Sequence, residues 1–145
     1  MRVAKVRLYV GIVIIIAGIL FARYISNPER RIFSMVEKNH ELYKQAAMQM
    51  IEDGEIQEVP HVDSISKPQG EHMMVDFYVT GLGIAPASTY YGFYYSPDDV
   101  PLVYGNYDIV LTQCDKNTWE WSANGDNKGV TKKIADCWYY YEASF

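Results

Sequence analysis

The sequence predicts an α+β fold: an N-terminal transmembrane helix, then one long amphipathic helix packed on an antiparallel β-meander. Three observations carry that expectation. An apolar run without a charge, Leu8 to Ala22, follows the basic residues Arg2, Lys5 and Arg7. Apolar residues then recur at threes and fours from Pro28 to Asp53, which is helical spacing. Beyond Gly54 the spacing drops to two, and turn residues punctuate it at short intervals, the pattern of short antiparallel strands.

Residues 1–26 read as a short cytoplasmic tail and a membrane anchor. A bilayer core about 30 Å thick takes roughly 20 helical residues. Leu8 to Ala22 supplies 15, and continuing to Ile25 gives 18 if the Arg23 guanidinium snorkels to the headgroups. Tyr9 and Tyr24 stand near the two ends, where amphipathic rings prefer the interface. A cleaved signal peptide is the rival reading. A cut after Gly18, Ala22 or Ser26, however, puts Ile16, Leu20 or Tyr24 where a small residue is needed. The anchor reading makes the lipid bilayer a partner of residues 8–25. A short tail before a large domain favours an extracytoplasmic C-terminal domain in the cell membrane. The Lys/Arg asymmetry behind that orientation is small, because Arg23, Arg30 and Arg31 nearly balance the N-terminal charges.

Residues 27–145 make one domain, with a helix or stalk at 28–53 and mainly β structure over 55–145. Nine of the 13 Lys+Arg and all 18 Asp+Glu follow residue 26, leaving the domain a formal −9. Such a domain repels phosphate backbones, so nucleic acid is not an expected partner. Cys114 and Cys137 both fall in it. In an oxidising compartment an even pair reads as a disulfide, closing a 24-residue loop and adding about 3 kcal/mol. Two buried free thiols are the other reading.

The elements follow in order. Asn27-Pro28-Glu29 is a helix start: a capping side chain, Pro at the first helical position, an acid in the first turn. Ile32, Met35, Val36, Leu42, Tyr43, Ala46, Ala47, Met50 and Ile51 form the apolar stripe, and Gly54 a stop. Glu55–Val59 and Val62–Ser66 are weak strand candidates. In His72–Thr80, Met73, Val75, Phe77 and Val79 alternate with Met74, Asp76, Tyr78 and Thr80, a half-buried strand. Gly81 to Pro86 is a connection. Further strands are expected at Thr89–Ser96, Asp108–Gln113, Thr118–Ser122 and near Cys137–Ala143, with turns at Ser96–Asp99, Gly105-Asn106 and Asn124–Asn127.

Motifs for chemistry are sparse. Gly81-Leu82-Gly83 lacks the third glycine and the following helix of a nucleotide site. Asn124 to Gly129 has Lys128 at a ligand position of a calcium loop and Ala135 where the bidentate acid belongs, so it reads as a hairpin turn. His61 with Asp63, and Glu71 with His72, are weak metal candidates that need their strands to converge. No catalytic residue and no cofactor is indicated. The densest signal is aromatic. Tyr91, Tyr94, Tyr95, Trp119, Trp121 and Tyr140 are the candidate binding residues, on the expectation that the outward half of the rings forms a platform. The plainer reading is that cross-strand ring pairs stabilise the sheet.

Thr89 to Pro101 (TYYGFYYSPDDVP), Trp119-Glu120-Trp121, Asn124 to Asn127 and Trp138 to Glu142 resemble segments of uncharacterised small single-span membrane proteins of Gram-positive bacteria. The resemblance covers roughly the last 60 residues and the general plan. It implies an anchored, extracytoplasmic protein and transfers no catalytic residue. The functional expectation is a non-enzymatic binding module for a protein, peptide or glycan. The alternative is an envelope enzyme or metal-dependent protein using His61, His72 and nearby acids. A homodimer through Ile32, Val36 and Tyr43 of the stalk is a third expectation.

Overall fold

In the computed structural model, residues 14–16, 27–84 and 87–145 are described. The chain divides into two units, Met1–Arg31 and Ile32–Phe145. In the first, Ile14, Ile15 and Ile16 are helical and exposed. The rest of the anchor expected at 8–25 lies outside the described residues. Among the described residues no helix is long and apolar enough to cross a membrane.

Helix α1 spans Pro28–Glu52 and starts as its sequence dictates. Asn27 Oδ1 accepts from the Arg30 N–H at 3.4 Å, and its carbonyl accepts from the Arg31 N–H at 3.2 Å. The helix bends at Asn39 (φ −118°), whose side-chain amide donates to the Met35 carbonyl at 2.9 Å. The kink falls in the polar stretch that interrupts the apolar stripe. From Ile32 onward the stripe is core rather than stalk. Ile32 and Tyr43 are fully buried and Val36 nearly so, so these three cannot form a dimer seam.

Seven strands follow: β1 (Ser64–Ser66), β2 (Val75–Ile84), β3 (Ala87–Tyr95), β4 (Thr112–Asp115), β5 (Thr118–Ser122), β6 (Lys128–Ala135) and β7 (Trp138–Ser144). They form one antiparallel sheet ordered β1-β2-β3-β7-β6-β5-β4. The expected single meander is therefore two. β1 to β3 run from one edge inward, β4 to β7 from the other, and β7 closes the sheet against β3. Residues 96–111 carry the chain from the centre to the far edge. We call this segment the strap.

Three strand expectations are corrected. Glu55–Val59 is not a strand; Glu55 and Ile56 are exposed. The connection expected from Gly81 is instead the continuation of β2 to Ile84, after a bulge between Tyr78 and Thr80. β6 was not foreseen, because Lys132 stands between Val130 and Ile134 on one face and breaks the apolar alternation.

The Cys114–Cys137 disulfide is also corrected: both are free thiols. Cys114 lies on edge strand β4 and Cys137 in the β6–β7 turn, with β5 and β6 between. Strands about 4.8 Å apart put the two well beyond the roughly 7 Å Cα limit of a disulfide. Each thiol instead lies near a carbonyl, Cys114 at 3.5 Å from Thr118 O and Cys137 at 3.8 Å from Pro97 O.

Strand alternation sorts the core into two clusters. One face gives Val75, Phe77, Phe93, Tyr95, Trp138 and Tyr140 to α1. The other gives Tyr94, Trp121, Tyr139, Tyr141 and Ala143 to Leu102 and Val103 of the strap.

Candidate functional site

Because both faces are covered, the expected aromatic platform does not exist in that form. Tyr94, Tyr140, Trp121 and Tyr95 are buried, and Tyr91 and Trp119 are half-buried. Tyr95 and Tyr140 belong to the cluster under the helix, while Tyr94 and Trp121 lie on the strap side. Strand parity correctly separates the rings into two sets, but it does not say that a loop covers the second set.

A different ring cluster reaches solvent. Tyr78, Tyr90 and Tyr104 are half-buried and Phe145 is 36% exposed. Tyr90 stacks on Tyr104 with centroids 6.0 Å apart, and touches Tyr78 at 6.1 Å and Phe145 at 6.0 Å. Tyr104 in turn meets Phe145 at 5.7 Å. Leu82, 61% exposed, and Phe145 line a neighbouring cleft of about 600 Å³, bounded by Ala87 to Thr89 and the Gly125 to Lys128 turn. Glycine makes part of this surface possible. A β-carbon on Gly81 would sit 2.8 Å from Tyr78 Oη, so the phenol lies over bare backbone. The sequence offered Tyr90 and Tyr104 only as members of an aromatic-rich stretch. Their convergence with Phe145 needs β7 beside β3 and the strap above both.

Beneath these rings lies a carboxyl group. Asp76 on β2 pairs with Tyr94 in register and so points under the strap. It is buried, and its Oδ1 has no hydrogen-bond partner. Tyr141 Oη is also buried without a well-aligned partner. Burial pushes the Asp76 carboxyl up to about 7, against a smaller opposing effect of the Tyr141 hydroxyl. Burial and the nearby Asp76 charge push the Tyr141 and Tyr104 phenols upward. Tyr104 packs on Tyr141 with centroids 5.0 Å apart, so the strap's ring roofs the pair. Gly92 admits Tyr141: a β-carbon there would stand 2.5 Å from its hydroxyl and from the Phe77 carbonyl.

The strap is fastened by directional bonds. Tyr94 Oη accepts the Leu102 N–H at 2.6 Å and donates to the Leu102 carbonyl at 3.1 Å. Thr131 Oγ1 donates to the same carbonyl at 2.8 Å. Asn106 Nδ2 donates to the His72 carbonyl at 2.8 Å. Asp99, expected in the Ser96–Asp99 turn, is a hub. Its carboxylate pairs with Lys133 Nζ at 2.5 Å and accepts the Cys137 N–H at 2.8 Å and the Tyr139 hydroxyl at 3.0 Å. Partial burial pushes that carboxyl up, but these three donors outweigh it and hold it below the usual carboxylate range.

The metal candidates do not converge. His61 precedes the Ser64 end of β1, opposite Tyr78, whereas His72 lies beyond the Ser66 end, opposite Asp76. The two histidines thus stand at opposite ends of the β1–β2 pair. His61 and Asp63 are exposed, and His72 Nδ1 lies 3.5 Å from Asp98 Oδ2. Among the described residues no group of three His, Cys, Asp or Glu side chains is placed to hold a metal ion. On the helix side, an open depression of about 970 Å³ crosses β5 and β6, lined by Glu120, Lys128, Val130, Lys132 and Glu142 among others. Its alternating charges describe a solvated sheet surface.

No protein-family model, no curated protein and no solved structure matches this chain.

Proposed function

We propose that this chain is a membrane-anchored, extracytoplasmic and non-enzymatic binding module. Its docking surface is the ring cluster Tyr78, Tyr90, Tyr104 and Phe145, with Leu82 beside it. The observation that carries the reading is the contiguity of these partly exposed rings, from the sheet and from the strap that crosses it. Aromatic side chains with a polar tip give contact area at low entropic cost. The formal −9 of the domain favours a neutral or cationic surface on the protein, peptide or glycan that docks there. The uncharged run Leu8 to Ala22 supports the anchor.

Two measurements test this. Cys114 is exposed, so in intact cells carrying the Cys137→Ser variant it should react with a membrane-impermeant maleimide. Labelling that needs cell lysis would refute the extracytoplasmic placement. A partner captured from native membranes by the full-length chain should be lost with Tyr90→Ala/Tyr104→Ala and retained with Val110→Ser, a change at an exposed residue outside the cluster. Equal capture by both variants would refute the docking surface.

A further inference from the structure

The fold contains a buried ionisable group that the binding reading does not use. Asp76 lies under the strap with Oδ1 unpartnered, next to an equally unpartnered Tyr141 hydroxyl. Phenols face it from the elements packed there: Tyr141 on β7 and Tyr104 on the strap both feel its charge, and Tyr94 on β3 is its register partner. Among the described residues no ion pair reaches it; His72 and Asp98 face each other, and Lys133 faces Asp99 and Asp136. A carboxylic acid is tolerable in such a place, whereas a carboxylate there lacks a cation and, at Oδ1, a hydrogen-bond donor.

The strap is built in two parts. Its first half is tied by Asp99 to Lys133, Cys137 and Tyr139, and by Leu102 to Tyr94 and Thr131. Its second half, around Tyr104, is tied by the Asn106 side chain to the His72 carbonyl and by ring packing against Tyr141. Gly105 and Asn106 both adopt left-handed backbone there (φ 69° and 57°), a turn that stores strain at Asn106 and is held by its contacts.

We propose that residues 103–107 of the strap form a proton-controlled latch: protonated Asp76 lets Tyr104 close over Tyr141, and ionised Asp76 lifts this half of the strap to admit water. The proton leaves Asp76 for solvent, and the carboxylate gains hydration in exchange for the Tyr104 contact. The transition falls near neutral pH, where the buried acid titrates. Lifting the strap also breaks the Tyr90–Tyr104 stack, so the latch changes the exposed ring surface whether or not that surface binds a partner.

Hydrogen exchange on the full-length chain in mild detergent tests this. The Asn106 amide, bonded to the Val103 carbonyl, reports the latch, and the Phe93 amide reports the core. Between pH 6 and pH 8.5 the protection factor of Asn106 should fall about tenfold or more, since one unit of proton affinity is tenfold in population. Phe93, which exchanges through global unfolding, should follow the loss of global stability but stay far better protected than Asn106 at every pH. Asp76→Asn should abolish the fall at Asn106. Tyr141→Phe, which removes the hydroxyl that eases ionisation, should move its midpoint to higher pH. A pH-independent Asn106, a fall that survives Asp76→Asn, or an Asn106 protection equal to that of Phe93 throughout the range would each overturn the latch. If Asp76→Asn fails to fold, Tyr141→Phe with an unmoved midpoint overturns it equally.

Discussion

At its centre the sheet is buried on both faces, yet the two are held by different physics. Under the helix, Tyr43, Phe77, Phe93 and Trp138 meet ring to ring at 4.8 to 5.9 Å, and Tyr43 Oη adds a polar tie to the Pro60 carbonyl. Under the strap, nearly every anchor is a hydrogen bond to a named backbone atom. A helix carries its own backbone bonds and needs only area to stay put. The strap has only a few of its own, such as the Asn106 N–H to the Val103 carbonyl at 2.9 Å, so others, those of Leu102 above all, are met by side chains that reach up from the sheet. The polar tyrosine face exists for that reason, and its one misfit is Asp76.

This contrast can be broken from the helix side with the largest effect. Trp138→Ala removes a ring that touches Phe77, Phe93, Tyr95 and His40. It should cost about 3–5 kcal/mol in denaturant unfolding. On the strap side the largest effect is one of pH. The folded Asp76 holds its proton to about 7, whereas in the unfolded chain it releases it near 3.8. Stability from this group is therefore highest below the unfolded value, falls as pH rises between the two, and is flat above. By linkage the loss amounts to about 4 kcal/mol. Asp76→Asn should flatten this slope and leave the protein more stable than the parent at pH 8, as read from unfolding midpoints at pH 5 and pH 8.

Smaller changes sharpen the comparison. Tyr94→Phe leaves the Leu102 N–H without its acceptor and should cost about 2 kcal/mol, with the loss confined to strap amides in hydrogen exchange. Asp99→Asn should cost about 1 kcal/mol near neutrality, because its ion pair is partly solvated. Its pH signature is opposite to that of Asp76. A carboxyl held low contributes stability above its unfolded value and loses it as pH falls through the folded one. The variant should therefore show less acid sensitivity than the parent.

Legibility in the sequence divides along the same line. The helix was readable from Asn27, Pro28 and the apolar stripe, because capping and period are local. β5 was readable to the residue from Thr118 to Ser122. Tyr90 and Tyr91 were readable as facing opposite ways. What was not readable depends on order. Asp76 alternates with buried neighbours, and an alternating strand is expected to turn such residues to water. The strap reverses that expectation, because β7 sits beside β3 and the chain must cross the second face to reach β4. The ring cluster at Tyr104 and Phe145 follows from the same crossing, and no local pattern announces a crossing.

The placement of β7 has a consequence for how the protein is made. The seventh strand in chain order is the central one of the sheet, and it pairs with both β3 and β6. Until Trp138 to Ser144 has emerged, the nascent chain holds two half-sheets with unpaired inner edges. Such edges invite pairing with other chains. Loss of Trp138 to Phe145, whose last N–H bonds the Ser88 carbonyl at 2.9 Å, would strip the middle of the sheet. A chain cut before Trp138 should thus be as damaged as one cut far upstream.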